Sequence, residues 1–201
     1  ALPESLIARV VFAIAFSTAD INNQQCTLLW EQAASRLSSN GASLHDLHQV
    51  VVAFAHVQYT DTKFFGHAIC RIEAVGLADP SAVGPHALSQ LTSAIARIGD
   101  KLPADQVGRF WGLLSHSMEE HRKLPSIWRS YTARHLTNLA AGLCRLEEST
   151  VDLARFAVAR VAELVLEEDQ VRLRGVSDRG LALITRFFAR SEAGLEHEAY
   201  K

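Results

Sequence analysis

A chain of 201 residues that is 48% hydrophobic and 21% charged has the composition of a folded protein with a sizeable core, which excludes disorder and fibrous or collagen-like classes. A net charge of -2 removes the broad positive field of a free nucleic-acid-binding domain but leaves room for a local basic patch. Lys and Arg against Asp and Glu number 7 to 11 over residues 1–120 and 13 to 11 over residues 121–201, so the C-terminal part is mildly basic.

Apolar residues recur at steps of three and four, as in Leu47, Val50, Val51, Phe54, Val57 and again in Leu88, Leu91, Ile95, Ile98, which is helix periodicity without competing strand alternation. In chain order the sequence predicts helices near 4 to 19, 23 to 39, 44 to 58, 61 to 76, 85 to 99, 103 to 121, 126 to 146, 149 to 168 and 178 to 191. The first is apolar enough to suggest a signal peptide. Glu4 and Arg9 interrupt it and no small-residue cleavage pattern follows, so it reads as a core helix. The missing initiating methionine fits a removed organelle-targeting segment, processing or tagging alike. Ser43 with Asp46 and Ser149 with Asp152 fit capping boxes, Pro85, Pro103 and Pro125 fit first helical turns, and Gly41, Gly76 and Gly99 stand where helices should stop. No apolar run approaches the roughly 20 residues that span a bilayer, because Arg9, Asp20, Glu31 and Arg36 break the richest region.

The odd-numbered predicted helices resemble one another. The first holds Ala13-Ile14-Ala15, the third Ala53-Phe54-Ala55, the fifth Ala94-Ile95-Ala96, and the seventh a looser Leu139-Ala140-Ala141, at spacings of 40, 41 and 45 residues. That is the period of a two-helix repeat. Small residues flanking a large one let neighbouring helices approach closely on both sides. The even-numbered helices are amphipathic, with Leu29, Ala33, Leu37, then Phe65, Ile69, Ile72, then Phe110, Trp111, Leu114, and form an outer layer. The expectation is one all-α domain over 1–201, an α-solenoid of about four antiparallel helix pairs (4–40, 44–77, 85–122, 126–168) plus the C-terminal helix 178–191.

Sites of chemistry are sparse. His45 and His48 share a helix face, and His116 and His121 flank Glu119 and Glu120, but the second pair is five residues apart where a zinc-binding His-Glu-x-x-His needs four. Both sets read as solvated polar faces, and no metal is expected. No Gly-x-Ser-x-Gly elbow or phosphate-binding glycine loop occurs, and Glu167-Glu168-Asp169 reads as a solvated helix end. Cys26, Cys70 and Cys144, far apart in apolar helical contexts, read as core thiols. The expectation is therefore a protein that is not an enzyme and uses no cofactor. The nucleic-acid candidates are Arg129, Arg134 and His135 on the seventh helix and Arg172, Arg174, Arg179, Arg186 and Arg190 near the end, since a guanidinium fork pairs with phosphate and stacked helices align equivalent positions along one groove.

The stretch Leu47-His48-Gln49-Val50-Val51-Val52-Ala53-Phe54-Ala55-His56-Val57-Gln58-Tyr59-Thr60-Asp61 resembles the repeat unit of octotricopeptide and heptatricopeptide organellar proteins, including the repeats that accompany RAP domains and those of FASTK-type mitochondrial proteins. The shared pattern is a leucine-rich first helix, an Ala-large-Ala core, then a turn with an aromatic and an acid. Residues 5 to 165 carry the resemblance, most fully in this one unit, and no RAP domain follows. It implies a mitochondrial matrix protein, or a plastid one, built into a ribonucleoprotein. The mitochondrial ribosome is the first candidate, with contacts to rRNA and neighbouring subunits. The competing expectation is an accessory interaction scaffold of a mitochondrial membrane complex, a respiratory or ATP synthase assembly, itself neither inserted in the membrane nor bound to RNA.

Overall fold

The computed structural model describes residues 3–17, 24–38, 41–145, 157–163 and 176–195, without the side chains of residues 24, 25, 188 and 190–195. Every regular element among them is helical: α1 (Glu4–Ala15), α2 (Gln24–Leu37), α3 (Leu44–His56), α4 (Thr62–Ala78), α5 (Pro85–Ile98), α6 (Ala104–Lys123), the single turn α7 (Pro125–Trp128), α8 (Ala133–Leu143), α9 (157–163) and α10 (Asp178–Leu195). Helix α3 packs between α1 and α5, α5 between α3 and α8, and α8 against α10, while α4 lies against α2 and α6. Each of the first three pairs, α1 with α2, α3 with α4 and α5 with α6, also packs internally. Ion pairs from Arg160 to Glu119 (2.8 Å) and from Arg122 to Glu163 (3.0 Å) tie α9 to α6. We call α1, α3, α5, α8 and α10 the inner helices and the others the outer helices.

Local chemistry sets the boundaries. Ser43 caps α3 as its sequence signature predicts: its hydroxyl accepts from the Asp46 amide at 3.1 Å, and its own amide donates to Asp46 Oδ2 at 3.2 Å. The helix ends in a six-to-one turn, with the Tyr59 amide donating to the Phe54 carbonyl at 2.9 Å and Gln58 left-handed at φ 57°. The aromatic and the acid of that turn then have distinct tasks. Tyr59 packs edge-on against Phe54 at 4.8 Å, and Asp61 Oδ1 accepts from the Lys63 and Phe64 amides, both at 3.0 Å, to start α4.

Three sequence expectations need correction. The predicted helix 126–146 is two helices, because Thr132 is extended and its amide donates to His135 Nδ1 at 3.2 Å, an imidazole standing where a capping box normally has a carboxylate. Gly76 does not stop a helix. It lies inside α4, where an added Cβ would come within 2.8 Å of Leu113 Cδ1 and 3.2 Å of Val83 Cγ2, so the glycine admits α6 and the following loop. Pro103 is the cap of α6 and not its first turn. The Ser149/Asp152 box and the Glu167–Asp169 run lie outside the described residues.

The core is continuous through these helices, with Phe54 as a hub. Its ring meets Trp30 of α2 at 6.0 Å and Phe64 and Phe65 of α4 at 5.2 and 6.5 Å, joining inner and outer helices. The alanine pattern works in part as expected: Ala15, Ala53, Ala55, Ala94 and Ala140 are buried, whereas Ala13 is exposed. Helix α8 approaches α5 closely at Gly142, where a Cβ would sit 2.6 Å from Thr92 Cγ2 and 2.9 Å from its carbonyl oxygen.

Candidate nucleic-acid interface

Helix α3 is wrapped on nearly every side, so apart from Leu44 at its start only His45, Gln49, Val52 and His56 reach the surface, at successive turns of one stripe. The same order of exposure, open at both ends and half-buried between, recurs in α5 as His86, Gln90, Ser93, Arg97, and along α8 as Arg134, Asn138, Ala141 and, just past its end, Arg145. The three stripes thus carry an imidazole or guanidinium at each end and an amide at the second position. Neither α5 nor α8 contains an acidic residue. Asp46 of α3 is buried in its cap, and the acid of α1 is Glu4 in the first turn.

The helices present these positions in register at their C-terminal ends. The Phe16 ring at the end of α1 stacks on His56 with centroids 4.2 Å apart and planes at 24°. His56 Nδ1 lies 3.3 Å from Arg97 Nη1, and since a guanidinium only donates, Nδ1 is the acceptor and the imidazole proton sits on Nε2. Burial and then the Arg97 charge hold the His56 pKa below its ordinary value, while Arg97 is itself lowered by burial and then by Arg145. The partner of Arg97 is thus an aligned neighbour at the step of 41 residues, and among the described residues no carboxylate pairs with it. Into α8 the step lengthens from the 45 residues of the alanine pattern to 48, from Arg97 to Arg145. Between the ends lies a notch of about 150 Å³, lined from four helices by residues that include Phe16, His56, Gln90, Ser93, Arg97 and Asn138. Gln49 Oε1, on the neighbouring turn of α3, is buried without a hydrogen-bond partner among the described residues.

The N-terminal ends bear a line of rings: His45 to His48 at 6.5 Å, His48 to His86 at 6.0 Å, His86 to His135 at 5.9 Å and His135 to Tyr131 at 6.2 Å. His48 is 7% exposed, and burial with the neighbouring His86 and His45 lowers its pKa to about 4. His135 is lowered by burial, then by His86 and Arg134. His121 is fully buried. Its Nε2 donates to the Pro80 carbonyl (2.8 Å) and its Nδ1 accepts from the Tyr131 hydroxyl (2.7 Å), so the neutral ring ties α6 to two loops. The sequence reading of His48 and His121 as solvated is therefore wrong: both are core histidines. Among the described residues no group of three His, Cys, Asp or Glu side chains is placed to hold a metal ion, and no helix is long and apolar enough to cross a membrane.

The predicted arginines are scattered. Arg134 and His135 occupy the first turn of α8, where Arg134 joins the open stripe. Arg129 is exposed on the link between α7 and α8, and Arg179 and Arg186 are exposed on α10, seven residues apart and so on one side of it. Arg190 lies in α10 with its side chain undescribed, and Arg172 and Arg174 lie outside the described residues. Of the thiols, Cys144 is buried and Cys26 half-buried, but Cys70 is exposed on α4 with Arg109 Nη1 3.5 Å from its sulfur, so it is not a core thiol.

Sequence reasoning missed Phe16, His56, Arg97, Arg145, Gln90 and Asn138, because it sought charges clustered along the chain. The signal was present in the repeat spacing. Applied to polar positions as it was to alanines, the step of 40 and then 41 residues leads from Phe16 to His56 to Arg97. No protein-family model, curated protein or solved structure matches this chain.

Proposed function

We propose that the chain is an α-solenoid of stacked helix pairs whose inner face contacts RNA inside a mitochondrial ribonucleoprotein, the ribosome being the first candidate. The observation that carries this reading is the charge asymmetry: an imidazole or guanidinium at each end and an amide between repeat in register along the acid-free stripes of α3, α5 and α8, with the guanidiniums on α5 and α8, while acids are frequent on α4, α6 and α9 among the outer helices. Backbone phosphates favour such an acid-free row, and a modest number of contacts suits a protein held in place by neighbouring subunits. Arg134 contributes directly, and Arg179 and Arg186 extend the cationic surface onto α10. The organellar assignment, with the mitochondrial matrix before the plastid, comes from the octotricopeptide-like stretch at 47–61 alone.

A second reading has its own support. Leu6, Val10 and Leu28 are exposed on α1 and α2, an apolar end suited to protein contacts, as in a scaffold subunit of a membrane-bound respiratory or ATP synthase complex. A salt titration of binding to organellar RNA separates the two. The RNA reading predicts affinity falling linearly with salt on logarithmic axes, with a slope of about -0.7 per phosphate contact on single strands. It also predicts weaker binding when Arg134, Arg179 and Arg186 are replaced together by alanine. No detectable binding at low salt overturns it and leaves the scaffold.

A further inference from the structure

The notch beside Phe16 combines three kinds of group: an exposed aromatic edge, a row of neutral hydrogen-bonding side chains and a cation that no described carboxylate pairs with. Phe16 is 45% exposed although it is stacked on His56, so one edge of a two-ring platform remains open. Its inner neighbour Phe12, at 4.6 Å, holds the ring from behind. Across the notch, the amide of Asn138, the hydroxyl of Ser93 and what the bond to His48 leaves of the Gln90 amide offer both donors and acceptors. Arg97 forms the third side, its guanidinium fixed at one nitrogen by His56 and thereby oriented, and no other described residue accepts from its remaining donors.

We propose that this notch binds one unstacked nucleotide of a single-stranded RNA, with the base packed against the open edge of the Phe16–His56 pair, its polar groups on Gln90 and Asn138, and a flanking phosphate on Arg97. The proposal rests on the RNA-binding reading and gives it an address. A volume near 150 Å³ matches that of a cavity known to accommodate a single aromatic ring. A duplex, whose bases are paired and stacked, cannot deliver one ring to such a notch, whereas an unpaired strand can splay a base onto an aromatic side chain. Arg145 reinforces the phosphate side, being near enough to depress Arg97.

The test uses the whole chain and a short fluorescent oligouridylate, free and annealed to its complement, with affinities measured by anisotropy at low salt. Phe16→Ala and Arg97→Gln are each expected to weaken single-strand binding about tenfold. Phe16→Trp should restore or exceed the parent affinity. Arg109→Gln, an equal charge change on the outer helices, should leave it unaltered. Binding of the single strand should exceed that of the duplex at least several-fold. If the protein binds RNA but Phe16→Ala and Arg97→Gln lose no more than Arg109→Gln, or if the duplex binds equally well, the notch assignment is overturned while the broader RNA reading stands. If the parent protein binds no RNA at all, both fail. Should a variant not fold, ring-proton NMR of the unmodified protein replaces it: resonances of Phe16 and His56 must move on titration with the oligonucleotide, and unmoved resonances overturn the proposal.

Discussion

The inner and outer helices of this protein handle charge in opposite ways. On the outer helices cations meet acids: Arg109 pairs with Glu73 (3.0 Å), Lys123 with Glu120 (2.7 Å), Arg122 with Glu163 (3.0 Å), and Arg160 with both Glu119 and Glu163. On the inner stripes Arg97 bonds to an imidazole, and Arg134 stands at the start of a helix that contains no acid. An internally neutralised surface has little left for a polyanion, while an unneutralised row of regular spacing has a great deal. Packing differs as well. Inner helix α3 is buried on all sides but one stripe, whereas the ion pairs of the outer helices are substantially exposed.

The largest expected effect tests that packing. Phe54→Ala removes the ring that joins α2, α3 and α4, and should cost about 3–5 kcal/mol, read as a lower denaturant midpoint in circular dichroism. Replacing Arg109 with alanine should leave the midpoint unchanged within error, since its pair is exposed. Equal effects would erase the distinction between the two sets of helices.

Acidification comes next. His48 is held at about 4 when folded, against 6.5 for an ordinary histidine, and His121 is also lowered, first by burial. The unfolded chain therefore binds more protons, so stability is fully present above pH 6.5 and is lost as pH falls from there towards 4. His48 alone accounts for about 3 kcal/mol over that window. A His48→Gln variant should flatten this part of the stability profile, and a flat profile in the parent protein would contradict the burial of both rings.

Smaller effects probe the contacts between neighbours. Gly142→Ala sets a methyl group against the Thr92 backbone and should cost about 1–3 kcal/mol, more than an alanine substitution at an exposed outer position. Gln58→Gly should stabilise by about 0.5 kcal/mol, the left-handed strain of about 1–2 kcal/mol being partly offset by the entropy of glycine. The gain is reduced by loss of the 3.1 Å bond from Lys101 Nζ to Gln58 Oε1. Thermal melts resolve both.

Much of the helical layout is legible in the sequence because its causes are local. The Ser43/Asp46 box starts α3 where the spacing says, Pro85 opens α5, and apolar periodicity marks the buried faces of α3 and α5. What escapes is set by distant neighbours or by unusual chemistry. Gly76 reads as a stop unless Leu113 is known to press on it, and Thr132 with His135 reads as helix interior unless an imidazole is allowed as the capping acceptor. The candidate site was hidden more deeply, for it takes a few residues from each of α3 and α5 and one each from the ends or faces of α1 and α8, about forty residues apart. Only the pairwise geometry of Phe16 with His56 and of His56 with Arg97 assembles it.

The contrast between the two sets of helices meets its most direct test in matched charge removal. The salt dependence of RNA affinity is compared for the parent protein, an Arg97→Gln, Arg134→Gln variant of the inner stripes, and an Arg109→Gln, Arg122→Gln variant of the outer helices. The inner pair should lower the magnitude of the logarithmic slope by about 1.4, two contacts at about 0.7 each, and the outer pair should leave it untouched. Equal slopes for the two variants would contradict the assignment of RNA contact to the inner face.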